Sequence, residues 1–333
     1  MDGPGRQHKP HLLVIAAGGT ISMARDPATG ASVPTLTAAD LLARTPLTTQ
    51  FEIHPLDLAT RPGAGLRPAD LLTLARAIAQ GAQSGVDGVV VTHGTDTLEE
   101  VAFFIDEVAP ASLPLVFTGA MRPSWAAGYD GIKNLENALR LAATVSTEYG
   151  TLVTMNDEIF EAWSVYKADT GALDAFAARR GAPYGRIFAD QIELAWRPVV
   201  RRRPGKIPSF LSTAIPIVTM GVDDDAVLLE RLPDQSVRGL VIAGMAAGSV
   251  PPAARRHLLR LAEGGLTVVL CSGVVSGRTA EDYYYPGAYA DLIAAGVVIE
   301  DRLTPRKARI RLMISLGLQI PYAPFGQEFV IPG

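Results

Sequence analysis

One cysteine, Cys271, in 333 residues excludes an internal disulfide and with it the class of small disulfide-stapled folds. Its place at the end of the apolar run 266–270 makes it a small buried hydrophobe rather than a nucleophile. Long hydrophobic runs are also missing. None approaches the ~20 residues that cross a bilayer, because glycine or charge interrupts each of them. The first ten residues are polar and rich in glycine and proline, without the basic-then-apolar order of a secretion signal, so a cytoplasmic protein is expected. An excess of one charge is absent too: the formal net charge is −4, with both signs mixed along the chain. That leaves no field for nucleic acid or an anionic membrane. The dense basic run Arg201, Arg202 and Arg203, followed by Pro204, Gly205 and Lys206, reads as a solvated linker. Of the five histidines, His8, His11, His54, His93 and His257, only His8 and His11 have ligand-like spacing, and they sit in a terminal segment. No metal site is therefore expected. No Gly-x-Ser-x-Gly elbow, Walker loop or Gly-x-Gly-x-x-Gly fingerprint follows any apolar run, which removes the usual serine-hydrolase, nucleotide and dinucleotide readings.

What is present is a hydrophobic share of 48%, enough for large cores and two domains of ordinary size. Apolar runs of strand length, at 11–17, 88–92, 115–118 and 151–155, alternate with segments of helical period at 69–80, 98–107 and 134–144. That alternation predicts an α/β domain with a mainly parallel sheet. After the arginine- and proline-rich stretch 196–208 it resumes, with strands at 215–219, 238–243, 267–271 and 297–300 and helices at 252–263, 289–295 and 305–316. The expected organisation is a larger N-terminal catalytic domain (1–200), a linker (201–213) and a smaller C-terminal α/β domain (214–333).

Two segments carry chemistry, and each follows a predicted strand of the first domain. Gly18-Gly19-Thr20-Ile21-Ser22 lets the backbone turn sharply and presents a hydroxyl at the carboxyl end of its strand, where open parallel sheets bind ligands. As a plain structural turn it would look the same. His93-Gly94-Thr95-Asp96-Thr97-Leu98-Glu99-Glu100 shares this geometry. Part of it serves the next helix, with Asp96 or Thr97 as N-cap and Glu99 and Glu100 in the first turn. Helix capping does not account for two threonines and an acid clustering toward Thr20. A threonine hydroxyl becomes a nucleophile only when a neighbour takes its proton. A lysine whose pKa is lowered by burial, or which an acid orients, does this. Backbone N–H groups of the glycine turns would stabilise the oxyanion formed on an amide carbonyl.

With these residues in view the chain resembles the bacterial-type L-asparaginase (asparaginase/glutaminase) family along its whole length. Residues 17–21 match the family's first signature, and residues 91–100 its longer and more specific second one. The segment 118–123, then Asp130-Gly131, Asn134-Leu135 and Asn137-Ala138, continues the match. Met155-Asn156-Asp157 leads to Lys167 at the spacing of the family's catalytic lysine. The resemblance implies a two-domain α/β fold with Thr20, Thr95, Asp96 and Lys167 in one pocket, Thr20 acylated, and no metal or organic cofactor. It implies hydrolysis of L-asparagine to L-aspartate and ammonia, with weaker action on glutamine. It also implies a homodimer or homotetramer whose pockets are closed by a partner subunit.

Several positions depart from the family. Residues 21–44 lack the usual tyrosine. The serine and the glutamine or glutamate that hold the substrate's α-carboxylate and α-amino groups are replaced at Gly63 and Ala64, and an asparagine often supplied by the neighbouring subunit falls at Ala247. Arg61 or Arg67 is positioned to replace the carboxylate contact. Glu281, beside the cluster Tyr283, Tyr284 and Tyr285, matches the acid contributed across a subunit interface. The substrate-binding set is thus Gly63, Ala64, Thr95, Asp96 and Glu281. Two other readings stay open: an asparaginase-fold hydrolase acting on a different small amide, and a non-catalytic ligand-binding protein on the same fold.

Overall fold

A computed structural model describes residues 9–58, 63–110, 112–179, 181–195, 203–232, 236–279 and 285–327. The chain divides into two compact units, one made of 1–178 and 182–200, the other of 179–181 and 201–333. Both are α/β.

The first unit opens with β1 (His11–Ala17), whose five central residues are buried. A short 3-10 turn (Thr20–Ser22) follows, then the small hairpin β2 (Met23–Arg25) and β3 (Ser32–Pro34), the short helix α1 (Ala38–Leu42) and strand β4 (Glu52–Asp57). Next come α2 (Pro68–Gln83), β5 (Gly88–His93), α3 (Leu98–Val108), β6 (Leu115–Thr118), α4 (Gly131–Thr144) and β7 (Thr151–Met155), then five short strands: β8 (Glu158–Glu161), β9 (Val165–Lys167), β10 (Phe176–Ala178), β11 (Gly185–Phe188) and β12 (Gln191–Leu194). Eight of these strands form one sheet in the order β12-β11-β8-β7-β6-β5-β1-β4, while β9 and β10 pair separately. From β4 to β7 all neighbours are parallel; β8, β11 and β12 extend the sheet in antiparallel fashion. The continuous apolar sequences of β1, β5, β6 and β7 follow from this arrangement, since helices cover both faces of a parallel sheet.

β4 carries Pro55, His54 and two acids and has no buried residue. It is an edge strand, where a missing N–H and polar side chains are tolerated, and for that reason it has no apolar signature in the sequence. β8 is reached by a two-residue turn at Asn156 and Asp157, both with positive φ (50° and 61°), the conformation that residues of this type adopt in tight hairpins.

The second unit contains β13 (Ile217–Thr219), α5 (Val227–Glu230), β14 (Leu240–Gly244), α6 (Pro252–Glu263), β15 (Val268–Ser272), α7 (Tyr289–Ala294), β16 (Val298–Glu300) and α8 (Pro305–Leu318). Its four strands form a wholly parallel sheet in sequence order. Cys271 is buried in β15, and burial raises its thiol pKa well above the ordinary range. Such a thiol is inert at neutral pH. Among the described residues no helix is long and apolar enough to cross a membrane.

Candidate active site

The register of the large sheet decides which loops meet. β1 lies between β4 and β5, with Ala16 opposite Thr92 and Ala17 opposite His93. The two motif loops therefore leave the sheet side by side at its carboxyl edge. Their approach is as close as backbone allows: a Cβ on Gly19 would lie 2.2 Å from Gly94 Cα. Gly19 also has φ of 90°, so both its conformation and its neighbour require glycine. A third loop joins at Gly119, where a Cβ would stand 2.7 Å from the His93 carbonyl and 3.3 Å from Thr95 Cγ2. The small residues of the motifs are what let three loops converge on one point.

Thr20 begins the 3-10 turn and is half-buried. The turn is tied from two sides. Ser22 Oγ donates to the Gly19 carbonyl (2.9 Å), and Tyr129 donates its hydroxyl proton to the Ile21 carbonyl (2.7 Å). Burial pushes the Tyr129 pKa up to about 12, which keeps the phenol protonated and donating. The residue was not visible as a site residue in the sequence, because it comes from the loop before α4 rather than from the stretch after Thr20.

Thr95 is 5% exposed. Its Oγ1 accepts a hydrogen bond from Lys167 Nζ at 3.0 Å, and the same ammonium group lies 3.3 Å from Asp96 Oδ1. The lysine side chain is 18% exposed and the aspartate 72%, so the pair sits at a mouth, with the lysine on the protein side and the carboxylate toward solvent. An ion pair this exposed contributes little to stability; its worth is positional. Lys167 ends β9, where it pairs with Phe176 of β10, and its backbone N–H donates to Glu99 Oε2 at 2.6 Å. Glu99 is 4% exposed. The expectation that it merely faces a helix start is thus incomplete: it also fixes the strand that carries the lysine. The acids Glu99, Glu100, Asp106 and Glu107 recur one heptad apart on one side of α3, the pattern of a solvated face, yet Glu99, Asp106 and Glu107 are buried, so that side faces protein.

The other motif residues brace this arrangement. Thr97, not Asp96, is the N-cap of α3, and it makes no side-chain cap bond. His93 is buried, and its Nδ1 lies 2.9 Å from the Gly94 carbonyl. That contact requires an Nδ1–H donor, and burial lowers the ring's pKa, so the imidazole is neutral. Asp130 accepts from the N–H groups of Met121 and Arg122, both at 2.9 Å, and from Asn134 Nδ2 at 3.0 Å. Asn134 also donates to the Gly119 carbonyl (3.0 Å) and accepts from the Asn156 N–H (3.1 Å). The segment that extends the family match is thus a backbone-fixing network between β6, α4 and the β7–β8 turn.

Gly63 is buried directly against the second motif: a Cβ there would lie 3.0 Å from Thr97 Oγ1 and 3.2 Å from Asp96 Cβ. Ala64 is exposed beside it. Arg67 is exposed and its backbone N–H caps α2 through Asp70 (2.8 Å). Ala247 belongs to the second unit, in a turn bridged by Met245 and Ser249. Arg61, Glu281, Tyr283 and Tyr284 lie outside the described residues, as do His8, Arg201 and Arg202. Tyr285 is exposed, with its hydroxyl 2.7 Å from Ser249 Oγ.

The family description "Asparaginase, N-terminal" matches residues 11–200, and "Glutaminase/Asparaginase C-terminal domain" matches 214–323. The chain is 36% identical to a probable L-asparaginase of Deinococcus radiodurans, covering 93% of this chain and 94% of that one. It is 30% identical to L-asparaginase 2 of Escherichia coli, covering 92% and 89%. Among solved structures, the probable cytoplasmic L-asparaginase of Campylobacter jejuni superposes with a TM-score of 0.82 at 30% identity, over 92% of this chain and 95% of that one. The fold and these matches define an amidohydrolase of the asparaginase type. The chain belongs to the bacterial-type L-asparaginase family.

Proposed function

We propose that the chain hydrolyses L-asparagine to L-aspartate and ammonia, with Thr20 as nucleophile and Thr95, Lys167 and Asp96 as its proton relay. The observation that carries this reading is the Lys167 ammonium placed 3.0 Å from Thr95 Oγ1 and 3.3 Å from Asp96, on the loop whose glycine packs against the Gly19-Thr20 turn. In the first step Lys167 has given up its ammonium proton to solvent, and Thr20 Oγ attacks the side-chain amide carbon while its own proton passes through the relay to Lys167 Nζ. The tetrahedral oxyanion is held by loop N–H groups. The relay returns a proton to the leaving nitrogen, ammonia departs, and an ester on Thr20 remains. Water then attacks that ester, giving aspartate and restoring the threonine. No metal or cofactor takes part in these steps. Gly63, Ala64, Thr95, Asp96 and Glu281 form the proposed substrate-binding set, within a catalytic domain of residues 1–200 that a linker at 201–213 joins to a C-terminal domain at 214–333. The assembly is proposed to be a homodimer or homotetramer in the cytoplasm.

A second reading keeps the chemistry and changes the substrate. A carboxylate and an ammonium each need a partner when they leave water, and Gly63 offers only backbone. A Cβ in its place would stand 3.0 Å from Thr97 Oγ1 and 3.2 Å from Asp96 Cβ, so a serine there fits only if Thr97 gives way by a few tenths of an ångström. An ammonia-release assay over asparagine, glutamine and amides lacking the free α-amino or α-carboxylate group separates the two. Preference for asparagine that survives Arg67→Ala supports the first reading. Faster turnover of a simpler amide supports the second, and no ammonia from any amide overturns both.

A further inference from the structure

At the opposite end of β1 from Thr20, three side chains with metal-ligating atoms converge. His11 pairs with Glu52 and Leu13 with His54 in the parallel register of β1 and β4. Side chains alternate along a strand, so residues 52 and 54 face the same side of the sheet as His11. The His11 ring is thereby set between a carboxylate and a second imidazole. The Nε2 atoms of His11 and His54 face each other in direct contact, with ring centroids 4.3 Å apart, and Glu52 Oε1 lies 4.0 Å from His11 Nε2. One ligand atom from each of the three residues falls within 4.8 Å of the others, the one such grouping of histidine, cysteine and acid among the described residues. His11 and His54 are 43 positions apart in the chain, so no local spacing reveals the grouping.

We propose that His11, Glu52 and His54 form a binding site for a divalent ion of the zinc class, which ties the edge strand β4 to β1. Two imidazole nitrogens and a carboxylate are the donor set that suits zinc and its neighbours nickel and copper, rather than calcium or magnesium. The direct Nε2–Nε2 contact leaves no room for an ion between the rings; a cation would replace that contact, with the two nitrogens parted to about 3 Å so that both lone pairs reach it. Glu52 and His54 are exposed, so the carboxylate swings in and the rings part at little cost. The backbone beneath is fixed, since the His11 N–H donates to Asp87 Oδ2 at 2.8 Å. The site has no part in amide hydrolysis: the length of β1 separates it from Thr20 by about 20 Å at the rise of an extended strand. Its effect is on the folded state, which a ligand bound to the native form alone stabilises in proportion to its occupancy.

The test is calorimetric titration of the full chain with zinc chloride at pH 7.5 after dialysis against a chelator, with melting temperature and ammonia release measured in parallel. Wild type is expected to bind one zinc per chain, and its melting temperature to rise with zinc. Turnover is expected to be the same with zinc or chelator. His54→Ala and Glu52→Gln remove exposed ligands without disturbing the core. Each is expected to melt like the wild type in chelator, to weaken zinc binding about tenfold or more, and to lose the thermal response. His8→Ala is expected to bind like the wild type. Absence of saturable binding in wild type, unchanged binding in both ligand variants, loss of binding in His8→Ala, or turnover that requires the ion would each overturn the proposal.

Discussion

The two units use parallel sheets differently. In the second, four parallel strands run in sequence order, and the buried charge at the end of β16 is consumed internally. Glu300 accepts from the N–H groups of Arg302 (3.0 Å), Leu303 (3.3 Å) and Phe325 (2.9 Å) and from the Tyr322 hydroxyl (2.8 Å). In the first unit the strand order is interrupted, so that loops distant in sequence emerge together, and an antiparallel extension follows β7. That extension leads to the β9–β10 hairpin, which delivers Lys167. Buried acids behave accordingly. Glu300 closes a turn and holds the chain that follows α8, whereas Glu99 holds the strand of a lysine whose ammonium remains at the mouth of the site. A buried carboxylate is therefore no sign of catalysis by itself; what its partner does next is decisive.

Substitutions that sharpen this contrast follow in order of expected effect. Thr20→Ala, Thr95→Val and Lys167→Met are each expected to reduce ammonia release by roughly 10³-fold or more, with melting temperatures close to wild type, because each removes a proton-transfer or nucleophilic group rather than packing. A folded variant with full turnover would remove that residue from the mechanism. Gly19→Ala is expected to lose nearly all activity and some stability, since the added carbon cannot be accommodated beside Gly94. Near wild-type activity and melting would show that the two loops are not locked together.

In the second unit the expected pattern is reversed. Glu300→Ala leaves four donors without their acceptor and is expected to destabilise the chain by about 3 kcal/mol, read as a lower urea midpoint, while turnover per folded molecule stays within about twofold. The smallest effect concerns pH. Tyr129 has its pKa raised to about 12, so its contribution to stability is fully present below the ordinary phenol value near 10 and is lost as pH rises toward 12. His93 has the opposite arrangement: its folded pKa is lowered by burial, so its contribution holds above about 6.5 and fades as pH falls below it. Urea midpoints across pH 8–12 are expected to converge for wild type and Tyr129→Phe as pH approaches 12; a constant difference would count against the buried phenol.

Much of this was legible in the sequence, for reasons that differ by element. Strands buried on both faces, such as β1, β5, β6 and β7, left continuous apolar runs, and the motif loops left glycines at points where no Cβ fits. The antiparallel half of the first sheet was silent, because strands of three or four residues hold too few side chains to set a pattern. β4 was hidden by its exposure. The Asn156-Asp157 turn is marked in the sequence only by a pair of residues that tolerate positive φ. Thr95 and Lys167 lie within hydrogen-bond distance, and the supports from Glu99 and Tyr129 depend on pairings that no local spacing announces.

The placement of β1 also sets a timetable. Its neighbours in the sheet are made after it: β4 some 41 residues on, and β5 beginning at Gly88. Until β5 emerges, the run Leu12 to Ile15 has an open flank that is adhesive toward any other unfinished chain. Loop closure on this scale makes nucleation around β1 slow relative to local hairpins. The residues that bring Thr20 to its place are thus the ones that must wait longest in the nascent chain, and premature termination before residue 88 would release a fragment with its most apolar strand half covered.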